Sequence, residues 1–264
     1  MALPSKSAPP RNGFEKALRR FSQTSWLLVV LLLYLLAATA LGLALAPALA
    51  MAHGLFAVAA RLPWAAAWVL KGFALGLGWF VFGLALLLVV AAYNKLLPTR
   101  ITPYKGGYYT LDAVPWFLHN GLFYLARFTF MPFVTLTPFG VLFLKAMGMK
   151  IGRHAFINTE YISDPALITI GDDAVLGGSV RICAHYGGGG NLVVAPVVVG
   201  HRATLGLACT IMGDVIIGDD AVILPESVLL PGSRVGAGET WGGVPARPIA
   251  REAMDEVKRL IRGE

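Results

Sequence analysis

The chain has 264 residues, 56% of them hydrophobic and only 14% charged, with a net charge of +7. That balance excludes an ordinary soluble domain, in which about a quarter of residues carry charge, and no nucleic-acid-binding module accompanies the positive excess. No acidic residue lies between Glu15 and Asp112, and thirteen of the fifteen follow position 150, so an apolar N-terminal half is joined to a soluble C-terminal half.

Residues 1–25 read as a basic segment carrying Lys6, Arg11, Lys16, Arg19 and Arg20. Residues 26–46 are free of charge, and a run of about 20 apolar residues spans a ~30 Å hydrocarbon core. Residues 72–93 form a second such run, with Leu86, Leu87, Leu88, Val89 and Val90 in succession. A cleaved signal peptide would account for the first run alone, but its apolar core is too long and a second span follows. Residues 26–97 therefore read as two transmembrane helices. Between them, residues 47–71 hold His53, Arg61, Pro63, Trp64 and Trp68. They read as a short turn plus an interfacial helix, because Trp favours the headgroup level.

Lys95, Arg100 and Lys105 follow the second run, whereas the intervening loop offers only Arg61 and Lys71. Basic residues stay on the cytoplasmic side, so both termini and the C-terminal half are expected in the cytoplasm of a bacterial-type inner membrane. The positive charge then reads as topology and contact with anionic membrane lipids.

Residues 98–149 are rich in aromatics, among them Tyr104, Tyr108, Trp116, Phe117, Phe123, Tyr124, Phe128, Phe130, Phe133 and Phe139. Past Lys105 the charges are Asp112, Arg127 and Lys145. Segments 111–127 and 137–147 are expected as helices in the membrane surface, a collar seating the C-terminal half on the bilayer. The alternative is a third span broken by Pro132 and Pro138, which would place that half outside the cell.

From Val199 the sequence counts in sixes. An aliphatic recurs at Val199, Leu205, Ile211, Ile217, Ile223, Leu229 and Val235, and Trp241 closes the series. Gly follows at 200, 206, 218, 236 and 242. A mostly small residue comes four positions after each aliphatic, at Ala203, Cys209, Val215, Ala221, Ser227 and Ser233, then Glu239 and Pro245. A period of six belongs to a parallel β-helix whose short strands cover the flat faces of a prism. The aliphatics point inward, the small residues fill the narrow interior, and the glycines are expected to take up the turn torsions. An earlier block runs through Ile151, Ile157, Ile170, Leu176 and Ile182, with phase slips at 161–167 and between Ile182 and Val199. At about 18 residues a coil, residues 151–246 make roughly five coils. The second slip contains His185, Tyr186, Gly187–Gly190 and Asn191. Four consecutive glycines do not serve a strand, and imply a mobile loop or a close approach of backbone. Cys183 and Cys209 form no CxxC pair and read as reduced thiols.

The hexads Ile170-Gly171-Asp172-Asp173-Ala174-Val175, the His before the glycine run and the closing Gly242-Gly243-Val244-Pro245-Ala246-Arg247 resemble the left-handed β-helix acyltransferases, in the maltose, galactoside and xenobiotic acetyltransferase branch. The resemblance covers residues 150–251, with a C-terminal helix expected at 252–264. The membrane collar joined to a β-helix is also similar, more loosely, to terminal domains of nonribosomal peptide synthetases that polymerise amino acids. The fold class is thus α plus all-β: transmembrane and interfacial helices, then a left-handed parallel β-helix.

The resemblance implies that His185 is the catalytic base, taking a proton from an acceptor hydroxyl or amine that attacks the thioester of acetyl-CoA or another acyl-CoA, with coil N–H groups stabilising the oxyanion. His201, sixteen residues on and nearly one coil away, is expected to stack near it. His53, His119 and His154 read as interfacial or structural. The family's acceptor carboxylate falls at the first slip, where Asp164 stands; Tyr186 and Asn191 are further candidates for the acceptor. CoA would lie along Thr204, Leu205 and Gly206 and near Trp241, Gly242 and Arg247, with Arg202, Arg234 and Arg247 for the phosphates. Family sites lie between subunits, which implies a homotrimer; the alternative is a monomer whose groove the collar completes. Phosphate-loop, Ser-His-Asp elbow and zinc-protease patterns are absent and no metal is expected. The leading function is acyl transfer, most often acetyl, to a membrane-associated glycan, lipid or lipid-linked acceptor. Amide-bond formation and a non-catalytic membrane scaffold are the alternatives.

Overall fold

The computed structural model describes residues 22–108 and 110–250, together with Gly13, Lys16 and Arg20. The helix expected at 252–264 and most of the basic segment lie outside the described residues.

Helices α1 (Ser22–Ala59) and α2 (Trp64–Leu96) form an antiparallel hairpin, in which the Tyr93 hydroxyl donates to Thr39 Oγ1 (3.2 Å) and Met51 lies against Gly78. These are the described helices long and apolar enough to cross a membrane. Leu27, Leu28, Leu31, Leu32 and Leu35 of α1 are all more than half exposed, so the hairpin presents an apolar exterior. The interfacial helix expected within 47–71 is not formed. Helix α1 runs on through Pro47 to Ala59, the turn occupies residues 60–63, and α2 starts at once. No charge or strong breaker stands between Pro47 and Arg61 to end an apolar helix, and a lone Pro is tolerated within one.

A 3₁₀ turn (Leu111–Ala113) leads into α3 (Val114–Arg127), followed by the short α4 (Met131–Val134) and by α5 (Pro138–Ala146). Helices α3 and α5 fall within the two segments expected to be helical. At about 1.5 Å per residue, the 14-residue α3 is too short to span the hydrocarbon core. Its Leu122, Phe123 and Ala126 share one core with Leu86 and Val90 of α2, Phe143 and Leu144 of α5, and the first coils of the C-terminal half.

The C-terminal half is a β-solenoid of about five turns. Its first face stacks Lys150–Ile151, Ile168–Ile170, Val197–Val199, Val215–Ile217 and Arg234–Val235 in parallel. The second stacks Phe156–Ile157, Val175–Leu176, Thr204–Leu205, Val222–Ile223 and Thr240–Gly243. The third stacks Ile162–Ser163, Arg181–Cys183, Thr210–Ile211 and Val228–Leu229. The aliphatics from Val199 to Val235 are all buried, as are Ala203, Cys209, Val215, Ala221 and Ser227. Glu239 and Pro245 at the end of the small series are exposed instead. There the chain reverses, Ala246–Ile249 pairs antiparallel with Thr240–Gly243, and Ala246 plugs the open end.

The corner glycines serve a different purpose from the one expected. The left-handed torsions fall two residues later, on Asp173, Ser179, Arg202, Ala208, Asp214, Asp220 and Glu226, with φ of 56–63°. The glycine is needed because coils stack too closely for a side chain. A Cβ on Gly206 would lie 2.5 Å from the Pro225 nitrogen of the next coil, and one on Gly171 would lie 2.6 Å from the Gly200 carbonyl carbon. Gly206→Ala should therefore cost about 1–3 kcal/mol through backbone displacement, seen as a lower melting temperature of the full chain. An unchanged melting temperature would show that neighbouring coils separate freely.

Candidate active site

The site is built where the count of six fails. At the first slip Asp164 adopts the left-handed conformation (φ 60°, ψ 49°) ahead of a 3₁₀ turn at Pro165–Leu167. This conformation is one that Asp tolerates better than most residues. At the second slip the chain leaves the prism as a β-hairpin, His185–Gly188 against Asn191–Val194. The expected mobile loop is thus a pair of strands. Gly189 and Gly190, both at positive φ (57° and 78°), provide the two-residue turn such a hairpin requires. Strand Tyr104–Gly106 of the collar adds to its outer edge, and Leu192 and Val194 pack with Ile101 and Ala113. Close approach holds at Gly187, where a Cβ would lie 3.1 Å from the Tyr108 hydroxyl.

Asp164 is fully buried. Its Oδ1 accepts from Trp116 Nε1 (2.7 Å) and Asn120 Nδ2 (2.7 Å), while Oδ2 lies 2.5 Å from His185 Nδ1. Burying a carboxylate is costly without such partners. An ionised carboxylate only accepts, so a neutral His185 paired with it carries its proton on Nδ1 and has its lone pair on Nε2. The imidazole side chain is 24% exposed and meets the Trp116 ring edge-on at 5.1 Å. Asp164 was expected to meet an acceptor. In the structure it has no exposure, and both its oxygens are engaged by Trp116, Asn120 and His185.

Two of these partners, Trp116 and Asn120, belong to one stripe of α3. Trp116, Asn120, Tyr124 and Arg127 recur every three or four residues, so they share a helix face. The Tyr124 hydroxyl hydrogen-bonds Ser163 Oγ (2.9 Å), and Arg127 Nη1 donates to Ser163 Oγ (3.2 Å) and the Ile162 carbonyl (3.3 Å). Sequence reasoning missed this stripe. Its signal is four polar-tipped side chains at helical spacing in an otherwise apolar segment.

The other histidines take different positions. His201 follows a strand of the first face, whereas His185 follows one of the third, so they occupy different corners. The interval of sixteen residues contains the hairpin and does not measure a coil. His201 Nδ1 accepts from the Asp172 N–H (3.0 Å). His119 is buried, with Nδ1 2.9 Å from Asn94 Oδ1, and burial pushes its pKa down to about 4, so it joins α2 to α3 as a neutral ring. His154 is exposed beside Asp173, and His53 is exposed on α1. Both cysteines are free thiols; burial pushes Cys209 up to about 12 and raises Cys183 as well.

Thr204 and Trp241 lie on the second face, with Gly206 and Gly242 beside them, and Arg247 pairs with Gly242 in the closing hairpin. Arg202 is paired with Asp220 through two bonds (2.7 and 2.8 Å), and Arg234 with Asp214 (2.5 Å). Tyr186 and Asn191 stand in the hairpin, where Asn191 Nδ2 donates to the Gly189 carbonyl (3.4 Å) across the turn. Among the described residues no group of three or more His, Cys, Asp or Glu is placed to hold a metal ion.

No family model matches the chain. A delta-poly-L-ornithine synthetase from Acinetobacter baumannii (strain AB307-0294) is 25% identical over 179 residues, which cover 66% of this chain and 13% of the synthetase. That share is larger than the solenoid, so the matched stretch reaches into the helical half. Among solved structures, a hexapeptide-repeat-containing acetyltransferase from Vibrio cholerae O1 biovar eltor, complexed with acetyl coenzyme A, is 28% identical, with 39% of this chain and 60% of that one covered and a TM-score of 0.36. A maltose O-acetyltransferase from Clostridium difficile 630 is 26% identical, with coverages of 39% and 59% and a TM-score of 0.36. A galactoside acetyltransferase in complex with coenzyme A is 19% identical, with coverages of 46% and 76% and a TM-score of 0.38. The solved structures this chain is similar to are thus hexapeptide-repeat acetyltransferases, the class its repeat resembles.

Proposed function

We propose that this chain is a membrane-bound acyltransferase that moves an acyl group, acetyl in the first instance, from acyl-CoA to a hydroxyl or amine of a membrane-associated acceptor. The observation that carries the reading is the His185–Asp164 pair, with Nδ1 tied to a buried carboxylate and Nε2 left as a base. Nε2 takes the acceptor proton as the acceptor oxygen or nitrogen attacks the thioester carbonyl carbon. The C–S bond then breaks, and the proton on Nε2 passes to the departing thiolate. The CoA groove runs along the second face, by Thr204, Gly206 and Trp241, and a homotrimer would close it from the neighbouring chain. Helices α1 and α2 cross the membrane, the turn at 60–63 faces outward, and the solenoid lies in the cytoplasm, where CoA is found.

The test is a thermal shift of the detergent-purified full chain with acetyl-CoA. Saturation at about 100 times Kd adds ~2.7 kcal/mol to stability, a shift of several degrees. No shift at millimolar acetyl-CoA would sink the reading. Amide-bond formation is the second reading, favoured by the match to the synthetase, which extends into the helical half. It predicts a shift with an aminoacyl-pantetheine thioester and none with acetyl-CoA.

A further inference from the structure

Two arginines, Arg181 on the third face and Arg127 beside it, take part in no ion pair among the described residues. In the segment 181–185, Ile182 and Ala184 are buried, so Arg181, Cys183 and His185 form one outward row. The strand Arg181–Cys183 ends within this row, and the chain bends at Ala184 before His185 opens the hairpin. Arg127 approaches from the side, off the last turn of α3. Its guanidinium lies 5.4 Å from the Tyr161 ring centre and that of Arg181 lies 5.5 Å from the same centre. Arg127 Nε is buried without a partner, and neither arginine pairs with a carboxylate among the described residues. Asp164, one residue beyond the Ser163 that Arg127 contacts, is fully taken up by Trp116, Asn120 and His185. Two guanidinium groups around one ring repel each other, and the Tyr161 face compensates only in part.

We infer that Arg127 and Arg181 bind a phosphate group of the acceptor, with the acylated hydroxyl or amine reaching His185 at the far end of the row. Planar guanidinium forks match phosphate oxygens, and two of them suit a dianion. Phe128, next to Arg127, is 70% exposed, as an aromatic at a bilayer surface would be. The inference rests on the acyltransferase reading, and it gives the acceptor a chemical class: a phosphorylated molecule, borne by a membrane lipid or free in solution.

The experiment compares the full chain with Arg181→Gln, an exposed position whose loss leaves the fold intact, and with Arg127→Gln. Thermal shift is followed with inorganic phosphate in nonionic detergent, and in phosphatidylcholine nanodiscs with and without phosphatidic acid. Acetyl-CoA is titrated in parallel. The native chain should respond saturably to phosphate or to phosphatidic acid, and each variant should bind about ten- to a hundredfold more weakly. The acetyl-CoA response should be unchanged in Arg181→Gln. A response to phosphatidic acid alone assigns the phosphate to a lipid, and a response to both shows that soluble phosphate suffices. Equal affinities in all three proteins would overturn the inference, as would an Arg181→Gln variant that loses acetyl-CoA binding instead, since the arginines would then belong to the CoA site. A native chain that responds to phosphate but not to acetyl-CoA keeps the anion site and removes the acyltransferase reading.

Discussion

His185→Ala should lower turnover by about 10²–10⁴-fold, the usual loss when a general base is removed. The acetyl-CoA thermal shift should remain close to that of the native protein. The side chain sits outside the prism, where its ring contributes one bond to Asp164 and an edge contact to Trp116. The measurement is transfer of labelled acetyl by the detergent-purified chain, with CoA binding followed on the same samples. Near-normal turnover would mean that the base lies elsewhere. Loss of CoA binding in this variant would point to a structural role for the ring.

Asp164→Asn tests the same site through its orientation. Trp116 and Asn120 both donate to Oδ1, so the variant's amide would keep its oxygen there and present its NH₂ to His185 Nδ1. Nδ1 would then have to accept, which moves the ring proton to Nε2, the atom required to take a proton from the acceptor. Loss of tautomer control of this kind costs on the order of 10⁴ in turnover in a serine protease, and about 10³–10⁴ is expected here. The left-handed backbone at this position suits Asn as well as Asp, so the fold should survive. Nitrogen chemical shifts of the His185 ring distinguish the two tautomers directly. Full activity with an inverted tautomer would show that Nε2 is not the base.

The repeat was legible in the chain because coil stacking demands the same inward aliphatic at each turn. From Val199 to Val235 each occupies the interior expected of it. The glycines were legible as positions but not as causes, since a six-residue period marks a corner without telling torsion from crowding. Helices α1 and α2 were legible as apolar runs. Their ends were not, because the sequence between Pro47 and Arg61 contains nothing that stops an apolar helix, and the Trp residues at 64 and 68 can serve either a surface helix or a span.

His185 and Asp164 were both legible as candidates, yet their contact was not. They lie twenty-one residues apart, one in each of two departures from the period. Only the stacking of Ile162–Ser163 on Arg181–Cys183 brings the two excursions to one corner. The partners on α3 lie further from reach: Trp116 and Asn120 are 48 and 44 residues from Asp164, in a segment readable only as an amphipathic collar. Periodicity is a local property, which a single chain reveals by repetition. A site made from interruptions of the period and a helix laid across them arises only when distant segments are packed, because burying Asp164 requires donors that its own coil does not provide.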